Sequence, residues 1–183
     1  MTAEIRYSDE NFERVYLVGV RLTPGSHEPD VYTLVLYNEV ARQDANRPLT
    51  HDGRIVFFER LRDADRALAL GDIAFRKYAA APNDVAIVYD VPTVIELVDR
   101  GRRDDDAVLA DFLNELLDFV AATRWPMPPT YTTSLRALAD RTTFDKEFGD
   151  MLDGVPTRRS ETRNALLWSL GTVLSNVLFL SAR

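Results

Sequence analysis

The sequence predicts an α+β fold in one domain: a small mixed sheet of about four strands, ordered β-β-β-α-β, over residues 13–90, and a helical half over 91–183 packed against it. Three observations carry this prediction. Short runs rich in β-branched and aromatic residues fall before residue 90, and the apolar spacing then changes to steps of three and four. Gly, Pro and Asp also punctuate the segments where turns and caps need them.

Residues 14–22, RVYLVGVRL, place Tyr16, Val18, Val20 and Leu22 on one face, and 31–38, VYTLVLYN, are β-rich on both. The PGSHEPD segment between them has turn chemistry, which makes an antiparallel pair. A polar stretch leads to RIVFFE at 54–59, an apolar run of the kind buried on both faces of a sheet. Asp63 then stands where it caps a helix carrying Ala64, Ala67 and Leu68, with Gly71 as its stop and IAFRKY as a second short helix. DVAIVYD at 84–90 closes a strand–helix–strand crossover, which reads as two parallel neighbours.

Beyond Asp90 the pattern is helical. Pro92 suits the first turn of a helix ending near Gly101. Residues 104–125 give the clearest helix, with Leu109, Phe112, Leu113, Leu116 and Val120 on one stripe. Asp111, Glu115 and Asp118 fall opposite as a solvated face, and aspartates 104–106 favour the positive end of the helix dipole. The elbow WPMPPTY at 125–131 breaks this helix; shorter helices are expected around 133–141 and 143–152, and a final one from about 159.

The uncharged run 164–182 is the most conspicuous text in the chain. As one helix it would measure about 28 Å, marginal for a bilayer. Its Ser and Thr gather on one side, and Leu166, Leu167, Leu170, Val173, Leu174, Val177, Leu178 and Leu180 cover the other. That sorting fits a helix laid on a protein core and argues against a membrane anchor. Trp168 and Phe179 fall on the hydroxyl side, where large aromatics left in water suggest a covered surface.

Composition narrows the chemistry. With no cysteine there are no disulfides, thiolate nucleophiles or Cys-ligated metals, which fits a reducing cytoplasm, and the first fifteen residues do not read as a secretory signal. Net charge −7 and the lack of aromatic residues interleaved with basic ones argue against nucleic acid. His27 and His51 sit in expected loops without a partner motif, and no HExxH, GxSxG or GxGxxG occurs. At Gly149–Gly154 the phosphate-loop spacing is present, but Val155 and Pro156 replace the residues that would touch phosphate and magnesium. The Arg100/Arg102/Arg103 and Arg158/Arg159/Arg163 clusters read as intramolecular pairing partners. No metal or cofactor is expected.

Two functional expectations follow. The first is a non-enzymatic, bacterial-type cytoplasmic interaction or regulatory module that meets a protein partner, or a second copy, through Trp125, Met127, Tyr131, Trp168 and Phe179. The second is a small enzyme or ligand-binding domain using Glu59 and Asp90 as an acid–base pair at adjacent strand ends.

Overall fold

The structure, a computed structural model, describes residues 13–38, 46–100, 106–144 and 156–180. The expected Asp104 and Asp105 cap, the Arg102/Arg103 pair, most of the helix expected at 143–152 and the Gly149–Gly154 turn lie outside the described residues.

The fold is α+β, as the sequence predicts, but the sheet has seven strands instead of four. They are β1 Glu13–Arg21, β2 Val31–Asn38, β3 Arg47–Pro48, β4 Thr50–His51, β5 Arg54–Phe58, β6 Val85–Asp90 and β7 Val177–Leu180. The order is β4-β5-β2-β1-β6, with β3 paired to β2 and β7 paired to β5. The β1–β2 pair is antiparallel over eight positions, Glu13↔Asn38 to Val20↔Val31. Asp30 holds the intervening loop by accepting from the Leu22 and Thr23 amides at 2.7 and 2.9 Å. Those two N–H groups keep its carboxyl below the ordinary value. The short β4 arises from Asp52 and Gly53, whose φ of 50° and 75° match the hairpin turn that an Asp-Gly pair favours.

Alternation along the strands makes two cores. Val18, Val31, Val35, Ile55, Phe57 and Tyr89 face one side. Leu17, Leu34, Leu36, Val56 and Phe58 face the other. The second face is covered by α1 (Ala64–Leu70) and α2 (Ile73–Arg76), through Ala64, Ala67, Leu68 and Phe75. Gly71 ends α1 with its N–H on the Leu68 carbonyl, and the reason for glycine is space: a Cβ there would stand 2.5 Å from Phe75 Cβ and 2.7 Å from Leu49 Cδ1. Asp72 caps α2 through the Ala74 and Phe75 amides. The first face carries α3 (Val91–Arg100), α4 (Asp106–Ala122), α5 (Pro129–Phe144) and α6 (Pro156–Ser175).

Three expectations are corrected. Strands β5 and β6 are not neighbours, because the β1–β2 hairpin lies between them; β6 pairs in parallel with β1 instead. The helix after the elbow is one element from Pro129, with proline at its tolerated first position, so the elbow is shorter than 125–131. The run 164–182 is not one helix. Helix α6 stops at Ser175, Asn176 turns the chain, and Val177–Leu180 runs parallel to β5 from Ile55↔Val177 to Phe58↔Leu180.

The stop has a local cause. The Asn176 amide donates to Val173, its side chain donates to the Thr172 carbonyl, and its own carbonyl accepts from Ile55 N at 2.8 Å. The face that α6 buries is rotated from the leucine stripe, since Thr162, Ala165, Leu166, Ser169 and Val173 are buried while Leu167 and Leu174 are exposed. Ser169 tolerates burial because its hydroxyl donates to the Ala165 carbonyl at 2.8 Å.

Strand β7 should therefore be a substantial part of the folding energy. Leu180 is 7% exposed, and Leu180→Ala should cost about 2–4 kcal/mol. Urea denaturation would check it; a loss under about 0.5 kcal/mol would mean that β7 docks only loosely.

Candidate functional site

The first core does not close completely. At the carboxyl ends of β1, β5, β6 and β7 it opens into a cleft of about 210 Å³ between the sheet, α4 and the end of α6. Phe57, Tyr89, Phe112 and Phe119 supply rings, and Val20, Val31, Leu116 and Val173 fill between them. Phe57 meets Phe119 edge-on at 6.3 Å between centroids, and Tyr89 meets Phe112 at 5.7 Å, so this wall is interlocked. At the mouth stand Leu22, Leu174 and Phe179, and Leu174 and Phe179 keep 58% and 45% of their surfaces in solvent. The apolar interior thus continues outward as an apolar rim.

Glu115 is the one charged residue lining the cleft. It is 3% exposed, which overturns its placement on a solvated helix face. Its Oε2 accepts from the Tyr37 hydroxyl at 2.7 Å and from Asn46 Nδ2 at 3.4 Å. Its Oε1 is buried as well, without a close partner among the described residues, and the Tyr89 hydroxyl is the remaining donor that bears on this carboxyl. One turn on, Asp118 accepts from the Asn46 backbone N–H at 3.0 Å, so α4 clamps the start of the segment leading to β3.

Burial pushes the Glu115 carboxyl up to about 7, with the Asp118 charge adding to the rise and donors from Tyr37, Asn46 and Tyr89 opposing it. Asp118 rises to about 6, again through burial. The hydroxyls of Tyr37 and Tyr89 are pushed well above the ordinary tyrosine range by burial first and by the Glu115 charge second. Asp111 and Asp118 also add to the rise at Tyr89; Asp111 is exposed, as the solvated face predicts, and Asp118 is half-buried beside Asn46.

The residues singled out in the sequence fall differently. Glu59 is exposed at the end of β5, and Asp90 ends β6, where it accepts from Thr93 N at 3.0 Å and pairs with Arg21 at 3.3 Å. With β2 and β1 between their strands, the strand ends that carry Glu59 and Asp90 lie three strand spacings, about 14 Å, apart across the sheet. Trp125 is 60% exposed, Met127 is partly buried against the first core, and Tyr131 packs on Trp168 at 6.1 Å. Phe179 alone of the five proposed contact residues lines the cleft. His27 is exposed, and His51 places Nδ1 3.0 Å from the Leu70 carbonyl. Arg163 pairs with Asp99 at 2.9 Å. Among the described residues no three His, Asp or Glu side chains come together as a metal site, and no helix is long and apolar enough to cross a membrane.

Sequence patterning missed Tyr37, Asn46, Tyr89, Glu115 and Asp118 as a connected group. One signal was present: Phe112 and Phe119 sit three before and four after Glu115, which puts the carboxylate in their row.

No family model matches the chain, and no curated protein matches it. Among solved structures it is similar to the one described as the crystal structure of SatS C-terminal domain in complex with bromine. That similarity has a TM-score of 0.51 and 19% identity, and covers 92% of this chain and 94% of that one. Likeness at this identity establishes a shared fold, and the site must be read from this chain's own residues.

The raised carboxyl groups fix the sign of a pH effect. Between their ordinary values, 4.5 and 3.8, and their folded values near 7 and 6, the native chain holds protons that the unfolded chain has released. Stability from these groups is therefore highest at low pH and falls as pH rises through 7. For Glu115 the loss is on the order of 3 kcal/mol. Urea midpoints at pH 5.5 and 8 should show the fall, and Glu115→Gln should flatten it; an equal fall in the variant would place its origin elsewhere.

Proposed function

We propose that this chain is a non-enzymatic cytoplasmic interaction module whose cleft receives an aromatic side chain of a partner polypeptide. The observation that carries the reading is the pairing of an aromatic-lined cleft with an exposed apolar rim. A cavity of about 150 Å³ accepts benzene, and this one is about 210 Å³, the scale of one large side chain. A small apolar molecule swallowed whole would leave Leu22, Leu174 and Phe179 in water, whereas the backbone and neighbours of a docked polypeptide would cover them. The partner segment is cationic on this reading, because the chain carries net charge −7 and α4 brings the Glu115 carboxyl to the cleft.

A probe is an acetylated, amidated pentapeptide with a central phenylalanine between glycines and terminal lysines. Amide chemical-shift changes should concentrate at the cleft and vanish in Leu174→Glu, which alters an exposed rim position and should leave the unfolding free energy within about 0.5 kcal/mol of the parent. Shifts spread over the surface, or unchanged in Leu174→Glu, would overturn the reading. So would concentration-dependent dimerisation lost in that variant, since the occupant would then be a second copy.

A further inference from the structure

We infer that the partner polypeptide docks on β7 as an added antiparallel strand, in which the residue bearing the aromatic ring exchanges backbone hydrogen bonds with Phe179. The inference rests on the proposed reading of the cleft and names how the segment that fills it is held. Strand β7 pairs with β5 and with no other strand among the described residues. Its register, Ile55↔Val177 to Phe58↔Leu180, and the bond from Ile55 N to the Asn176 carbonyl fix which backbone groups face β5. In a parallel ladder these belong to Asn176, Leu178 and Leu180. The N–H and C=O of Val177 and Phe179 therefore point to the opposite side, where no described strand meets them. Val177–Leu180 also carries no charge and no proline, the usual devices that keep a sheet edge unpaired.

The alternation that frees these groups also ties them to the cleft. Leu178 and Leu180 pack in the second core, while Val177 and Phe179 line the cleft on the first face. In an antiparallel pair, directly opposite residues share a face, and a hydrogen-bonded pair exchanges both of its N–H···O bonds. A residue opposite Phe179 thus takes both bonds and turns its side chain to the cleft side in one placement. Its two neighbours along the segment point their backbone groups away from β7. The added strand also covers Phe179, which is exposed because it has a cross-strand neighbour on one side only. Main-chain bonds of this kind are indifferent to sequence, so the ring and the cationic flanks supply the selectivity. Charge favours such a segment over a second copy: two chains of net charge −7 repel, and β7 itself brings no cation.

The test uses the lysine-glycine-phenylalanine-glycine-lysine pentapeptide in three forms: unmodified, N-methylated on the phenylalanine, and N-methylated on the glycine after it. Each methyl removes one backbone donor and leaves every side chain in place. The first falls on the N–H that meets the Phe179 carbonyl, and the second on an N–H that faces away from β7. In amide chemical-shift titrations of the full chain, the phenylalanine methyl should weaken binding about tenfold. The glycine methyl should change it by less than about twofold. The unmodified peptide should also slow hydrogen exchange at Val177 and Phe179 and leave the already paired Leu178 and Leu180 amides unchanged. Equal affinity for all three peptides overturns strand addition and leaves the cleft reading standing. A glycine methyl that weakens binding as much as the phenylalanine methyl, or more, also overturns it, since the bonding residue would then not be the one facing the cleft. Failure of the unmodified peptide to bind sinks the cleft reading itself. Protection of Val177 and Phe179 in the free chain that grows with protein concentration would make a second copy the occupant, and the proposal would be wrong.

Discussion

The parallel pairing of β7 with β5 is the constraint around which the rest is arranged. Ile55 to Phe58 are buried on both faces, so every backbone group along this strand needs a partner inside the protein. Residues 177–180 supply partners for the side that the β1–β2 hairpin does not reach, and Asn176 joins the ladder to the helix end. Because the pairing is fixed residue by residue, the last turns of α6 are held over the first face of the sheet. Leu170, Val173 and Leu174 thereby become one wall of the cleft, and Phe179, carried by the strand itself, becomes part of its mouth.

The same arrangement explains how a carboxylate comes to sit in an apolar wall. Helix α4 packs on the sheet and also contacts α5 and α6, so its apolar arc must be wider than a single stripe. Phe112 and Phe119 widen it, and Glu115 lies between them on the same row. Burying that group is tolerated because one oxygen is met by Tyr37 and Asn46. The Tyr89 hydroxyl adds a further donor, and burial is relieved in part by protonation, since the carboxyl is raised to about 7.

Much of the fold was legible because local signals and tertiary demands agreed. The β1–β2 hairpin, the doubly buried β5, the stop after Ala64–Leu70, and the α4 stripe through Leu109, Leu113, Leu116 and Val120 all follow from period and punctuation, whereas Asp63, expected to cap that helix, makes no cap bond and pairs with Arg60 at 3.1 Å. What failed was decided at long range. Residues 177–180 satisfy a helical wheel as well as they satisfy a strand, and only the open side of β5 chooses between them. The crossover from β5 to β6 passes over a hairpin already formed earlier in the chain, so sequence adjacency misplaced Glu59 beside Asp90. The site was harder still. Tyr37, Asn46, Tyr89 and Glu115 come from four separate elements or loops, and nothing in local spacing announces that they meet.

Strand β7 also sets an order of events during synthesis. Its partners in β5 are about 120 residues earlier in the chain, and contacts so distant are slow to find. While the ribosome is still producing α6, the hairpin, the crossover and the helices can assemble, yet β5 presents unpaired amides on one side. The cleft acquires its outer wall only when residues 177–180 have emerged and paired with β5. A chain that lacks residues 177–180 would therefore display an unpaired, sticky edge on β5 and a cleft without Val177 and Phe179 in its wall.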